Sequence, residues 1–193
     1  MSKPRIIGIM GKAGSGKSLV AKYLHGKFDY ERSKFSKILK DMLLCIPGIT
    51  EEMTEGDLKE VPNMILGGHT PRKAMQTLGT EWGRNMICET FWVDSWARHV
   101  AMRDCKQFVS VEDVRFPNEL EAVHDLGGVI WNITRSQAED IVTSNHQSEL
   151  MMAGMKPDLT VANSGNLDDL MTTIDNLMLE EYGVKNRRNA QID

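Results

Sequence analysis

Gly11-Lys12-Ala13-Gly14-Ser15-Gly16-Lys17-Ser18 sets Gly11, Gly16, Lys17 and Ser18 in the spacing GxxxxGK[ST], with a third glycine at Gly14. In that spacing the glycines let the backbone curl until successive N–H groups, from Gly11 through Ala13, Gly14, Ser15 and Gly16, face one anion. Lys17 adds a full charge for the β- and γ-phosphates of a nucleoside triphosphate, and the Ser18 hydroxyl is an oxygen ligand for Mg²⁺. A glycine-rich turn can match the pattern by accident, so the flanking residues decide. Before the loop, Arg5-Ile6-Ile7-Gly8-Ile9-Met10 is short, β-branched and uninterrupted, which predicts a buried strand. After it, Leu19, Val20, Tyr23 and Leu24 recur at helical spacing, so the loop would end on a helix N-terminus whose dipole favours phosphate.

Further charged residues fall where such a loop needs them. Asp113 closes the apolar run Gln107–Asp113 and is a candidate to hold Mg²⁺ or its water shell; the simpler alternative is a cap for the next helix. Arg115 lies two residues on, on the same side if the chain stays extended, and could bridge donor and acceptor phosphates; otherwise it makes a surface pair with Glu119. Arg135 leaves the next apolar run at the start of a polar stretch, where a closing lid would bring a cation to the transition state. Arg72 and Gln76 are four apart, hence on one helix face. They could take an acceptor phosphate and a base edge, although spacing alone reads as a solvent-facing surface. Trp82 and Trp92 could stack on a base but read first as core, and His146 as structural.

The elements that must position these residues alternate. Strands are predicted at 5–10, 28–35, 107–113, 129–133 and 158–162, with helices between, the last of them from Leu167 to Tyr182. This predicts an α/β fold, a parallel sheet flanked by helices, with ligands beyond the carboxyl ends of the strands. Residues 50–70 are acidic, carry Gly56, Pro62 and Gly67-Gly68, and lack a period, so an irregular, mobile excursion is expected. Lys185 to Asp193 reads as a frayed tail. The chain of 193 residues is read as one domain, 41% hydrophobic and 26% charged, with a formal net charge of -4. That balance speaks against gripping nucleic acid backbones and suits a nucleotide-sized substrate. Cys45, Cys88 and Cys105 lack CxxC spacing and read as reduced core thiols of a cytoplasmic protein; no run is long enough to span a membrane.

Arg72-Lys73-Ala74-Met75-Gln76-Thr77-Leu78-Gly79-Thr80-Glu81, then Phe91-Trp92-Val93, then Asp113-Val114-Arg115-Phe116-Pro117-Asn118-Glu119 resemble, in that order, the deoxynucleoside monophosphate kinases of tailed bacteriophages. Gly127-Gly128, His146-Gln147-Ser148-Glu149 and Asn163-Ser164-Gly165-Asn166-Leu167 look like later landmarks of the same family. The resemblance implies a P-loop nucleoside monophosphate kinase fold with an acceptor-binding insert at about 46–90 and a lid at about 135–156. It implies transfer of the ATP γ-phosphate to a deoxynucleoside 5'-monophosphate with Mg²⁺, a possible homodimer, and, for a phage protein, the host cytoplasm. By position, it makes Arg72 the acceptor-phosphate arginine, adds Lys40 to the acceptor site, sets Gly79 and Thr80 in a turn beside the acceptor, and puts Asn163 and Gly165 in a loop near the adenine. Two other readings stay open: a kinase acting on a hydroxymethylated pyrimidine, free or in DNA, and a nucleotide-operated switch.

Overall fold

The computed structural model describes residues 3–104, 107–135, 152 and 154–184. In chain order the elements are β1 (Ile6–Met10), α1 (Lys17–Phe28), β2 (Tyr30–Ser33), α2 (Lys37–Leu44), α3 (Glu51–Thr54), single 3₁₀ turns at Asp57–Glu60 and Met64–Leu66, α4 (Pro71–Gln76), a π-helix (Thr77–Ile87), α5 (Phe91–Ala101), β3 (Phe108–Val111), α6 (Pro117–Asp125), β4 (Val129–Thr134), β5 (Leu159–Ala162) and α7 (Leu167–Glu180). They fall into two compact units, one formed by Met1–Lys34 with Val100–Asp193 and the other by Phe35–His99.

The first unit is built on a five-stranded sheet in the order β2-β3-β1-β4-β5, with every pair parallel. β1 is central because Ile6-Ile7-Gly8-Ile9-Met10 is buried at every position, as a strand covered on both faces must be. On one face Ile7 and Ile9 meet Val20 and Leu24 of α1 and Ile174 and Met178 of α7 in a single apolar cluster. Each fully buried isoleucine contributes about 2 kcal/mol relative to leaving it in water. Tyr23 Oη donates to Asp175 Oδ1 (2.9 Å), and Lys27 Nζ donates to Tyr23 Oη (2.8 Å) and pairs with Asp175, so α1 and α7 are also joined at their rim. On the opposite face α6 packs through Val123 against Ile6, Gly8 and Gly128. The turn after α6 closes on Gly127, with N–H groups of Gly127 and Gly128 reaching His124 O and Val123 O.

The second unit is helical. Phe35 packs on Trp96 with ring centroids 4.4 Å apart, and Trp82, Phe91 and Trp92 form a cluster with centroids 4.8 to 6.0 Å apart. Trp92 is buried, as the core reading expected, whereas Trp82 is only half-buried. Residues 50–70 differ from the expected excursion. They form α3 and the two 3₁₀ turns, with Thr54 and Ile49 buried and Asn63 Oδ1 accepting the Ile65 N–H at 2.8 Å. Single turns leave no apolar period in the sequence, which is why the order was not visible there. The cysteines also differ. Cys45 and Cys88 are free and exposed, each at the C-terminal cap of a helix, where the chain turns at the surface. The stretch at 136–151, with His146, the third cysteine and the tail from 185 lie outside the described residues.

Candidate nucleotide-binding site

β1 ends at Met10, the chain makes the loop 11–16, and α1 opens at Lys17. Gly11, Gly14 and Gly16 all take positive φ, of 143°, 75° and 104°. At Gly11 a Cβ would lie 2.4 Å from the carbonyl oxygen of Ile133, and at Gly16 it would lie 2.6 Å from Asn163 Nδ2, so both backbone hand and space demand glycine. Gly16, Lys17 and Ser18 supply first-turn amides that have no intrahelical acceptor, the arrangement that binds phosphate at a helix N-terminus. Lys17 Nζ donates to Gly11 O and Lys12 O, 2.7 Å each, which holds the ammonium over the loop. Ser18 is exposed, with its hydroxyl on the first turn of α1. Ala13 and Gly14 are exposed at the crest of the loop, whereas Ser15 is buried beneath it with its Oγ unpaired among the described residues.

The loop is anchored from the far end of the chain. Asn163 follows β5, is itself buried, donates from Nδ2 to Ser15 O at 2.8 Å, and from its backbone to Thr134 O at 2.7 Å. Asn163 therefore ties the ends of β4 and β5 to the phosphate loop, a contact that its expected place near the adenine did not suggest. Gly165 lies in the same turn, next to Asn166, whose side chain caps α7 by accepting the Asp169 N–H at 3.0 Å.

β3 delivers the acidic residues. It ends at Val111, so Glu112 and Asp113 follow directly at the carboxyl end of the strand beside β1. Asp113 is half-buried there. Glu112 was not singled out from sequence, because the apolar run was read through to its last carboxylate; the signal was four strand residues followed at once by an acid. Its side chain is 2% exposed, its Oε1 accepts from Arg32 Nε (3.0 Å) and Nη2 (2.8 Å), and its Oε2 has no partner among the described residues. Arg115 is exposed, and Glu119, its partner in the simpler alternative, is buried. Glu119 Oε2 instead accepts the backbone N–H groups of Arg115 (2.8 Å) and Phe116 (3.1 Å), closing the N-terminus of α6. Arg135 is exposed one residue beyond β4, and the stretch after it, where the lid was expected, lies outside the described residues.

The remaining candidates belong to the helical unit. Thr70 Oγ1 accepts the Lys73 N–H at 3.1 Å and Pro71 takes the first helical position, so α4 starts as its sequence predicts. Arg72 and Gln76 are both exposed on it, and Arg72 pairs with Glu60. Lys40, on α2 and 14% exposed, pairs with Glu55 Oε1 at 2.8 Å. Gly79 and Thr80 sit in the π-helix rather than in a turn; its wider spacing shows in the bond from Cys88 N–H to Gly83 O, and Gly79 O accepts from Trp92 Nε1 at 2.8 Å.

A parallel sheet flanked by helices, with this loop leaving its central strand, defines the P-loop kinases. A solved dephospho-CoA kinase from Campylobacter jejuni has the same fold at 12% identity and a TM-score of 0.50, over 93% of this chain and 98% of that one. The sequence comparisons are narrower. The family model for deoxynucleotide monophosphate kinase matches residues 48–174. A provisionally named deoxynucleotide monophosphate kinase of Acanthamoeba polyphaga mimivirus is 29% identical over 182 residues, 88% of this chain and 93% of that protein. The deoxynucleoside-5'-monophosphate kinase of Escherichia phage T5 is 32% identical over 85 residues, 42% of this chain and 34% of that protein. The chain belongs to the deoxynucleotide monophosphate kinase family.

Proposed function

We propose that the chain transfers the γ-phosphate of ATP to a deoxynucleoside 5'-monophosphate, giving ADP and the diphosphate. The observation that carries this reading is the loop itself: glycines at positions only glycine can occupy, an ammonium held across the loop carbonyls, and a buried asparagine anchoring the whole, in a chain of this family. Phosphoryl transfer asks little covalent chemistry of the protein and much charge compensation and in-line placement. Lys17 and the loop amides compensate charge on the donor. Arg115 and Arg135, exposed cations at the carboxyl ends of β3 and β4, are assigned to the transferring group.

Mg²⁺ fits the oxygens of the Ser18 hydroxyl and the Asp113 carboxylate, which is the hard-ligand chemistry this ion prefers. When bound, it would neutralise charge between the β- and γ-phosphates. Among the described residues there is no cluster of three or more His, Cys, Asp or Glu that could hold a metal. On the acceptor side the reading assigns Arg72 and Lys40 to the monophosphate and Gln76, with the Gly79–Thr80 stretch, to the nucleoside. The carboxylates of Glu60 and Glu55 that hold these cations occupy positions the acceptor phosphate would compete for. Among the described residues no helix is long and apolar enough to cross a membrane.

The test is ADP release with ATP and each deoxynucleoside monophosphate, hydroxymethylated pyrimidines included. Stimulation by at least one free monophosphate is expected. Stimulation by modified DNA alone would reject the reading.

A further inference from the structure

Arg32 lies near the end of β2, aligned with Ser110 of β3, which is aligned in turn with Ile7 of β1. Residues in register across parallel strands share a sheet face, and here it is the face on which Ile7 meets α1. Glu112, two residues beyond Ser110, returns to that face at the carboxyl end of β3. The Arg32 bonds described above confirm the placement: Nε and Nη2 both close on Oε1 and none on Oε2. The carboxylate is thus fixed from one side, and the oxygen left over is buried without a partner among the described residues. A buried carboxylate oxygen in that condition costs free energy unless it has a use.

We propose that Arg32 is a positioning residue for the donor site: by gripping Oε1 it orients Glu112 so that Oε2 accepts a hydrogen bond from a water in the hydration shell of the nucleotide-bound Mg²⁺. Two features of the fold make this specific. The planar guanidinium holds one oxygen through two donors of fixed relative direction, which the freely rotating ammonium of a lysine cannot do. The arginine also comes from the edge strand, so its hold on Glu112 ties the position of the acid to the β2–β3 register, one strand away from the phosphate loop. Groups that orient the acceptors around a metal tune its affinity without touching it.

The inference rests on the donor side of the proposed function and is tested without an acceptor, by titrating Mg²⁺ into the full chain with a fluorescent ATP analogue and reading nucleotide binding. Glu112→Gln keeps size but replaces Oε2 or its partner with a donor. It and Arg32→Gln are each expected to raise the Mg²⁺ concentration for half-maximal binding by about tenfold or more, while metal-free nucleotide binding stays at the wild-type level. Arg32→Lys should fall between, and the double variant should be no worse than Glu112→Gln alone, because the arginine acts through the acid. Arg32→Lys and Glu112→Gln carry the test if Arg32→Gln does not fold. Wild-type Mg²⁺ dependence in the folded arginine variants would overturn the proposal and leave the pair a staple between β2 and β3, and so would effects that multiply in the double variant. Binding of ATP by the wild-type chain with no Mg²⁺ dependence would end both this inference and the donor-site reading. Mg²⁺-dependent ATP binding without stimulation by any monophosphate would sink only the acceptor assignment.

Discussion

On the proposed reading Lys17 is the residue on which the donor chemistry turns, since its ammonium is the positive charge that the GxxxxGK[ST] spacing fixes. Lys17→Ala should lower kcat by at least about a hundredfold, read in a coupled ADP assay, as expected when a main charge stabiliser is lost. Arg72 is exposed, and its pair with Glu60 is between half-exposed partners, so it contributes little to stability. Arg72→Ala is therefore expected to leave the melting temperature alone and to raise KM for the monophosphate well above any change in KM for ATP; equal rises would remove the assignment. Asn163 separates two roles by experiment. As an anchor of Ser15 O, its replacement by alanine leaves a buried carbonyl unpaired, costs about 1–3 kcal/mol in chemical denaturation, and weakens ATP and GTP alike. A change in purine preference with unchanged stability would instead favour a place beside the adenine.

At the scale of elements, helix starts and the phosphate loop could be read directly from residues whose geometry is local. Thr70-Pro71 opens α4, Asn166 caps α7, and Gly127 ends the turn after α6. What could not be read depends on longer reach or on finer spacing. The bond from Asn163 to Ser15 joins opposite ends of the chain, and nothing near either residue announces it. The π-helix at Thr77–Ile87 could not be told from an α-helix in the sequence, because a segment of a few turns holds too few apolar residues to separate the two periods. Glu112 was hidden by its neighbour, two acids in succession offering no sequence reason to choose the first. The π-helix also makes a prediction. Trp92 donates its indole N–H to Gly79 O, so Trp92→Phe should keep the ring cluster but leave that carbonyl without this donor. A loss of about 1 kcal/mol in urea denaturation with unchanged m-value is expected, and no loss would mean that solvent replaces the indole freely.

For the molecule as a whole, the sheet's covered face sets how stability responds to alkali. Tyr30 is fully buried, donates from Oη to Pro4 O at 2.6 Å, and burial pushes its phenol far above the ordinary value of 10.0. Burial likewise raises Tyr23 and Tyr182. An unfolded chain gives up these protons near pH 10, whereas the folded chain keeps that of Tyr30, so deprotonation favours unfolding as pH rises past that value. Stability present at lower pH should begin to fall near pH 10 and keep falling as pH rises further, and Tyr30→Phe should flatten the decline although it starts from a lower value. Urea midpoints across that range decide the matter.

The strand order has a consequence for how the chain comes off the ribosome. β1 is made before both of its neighbours, and the strands on either side of it, in register at Gly8 with Val111 and Ile130, arrive only after the whole helical unit has been made. Until then the apolar run Ile6–Met10 has no neighbours to pair with, and the glycine loop that follows it has no frame. Vectorial synthesis therefore leaves this motif without its frame long after it has been made, and a nascent chain stalled before β4 should not retain nucleotide.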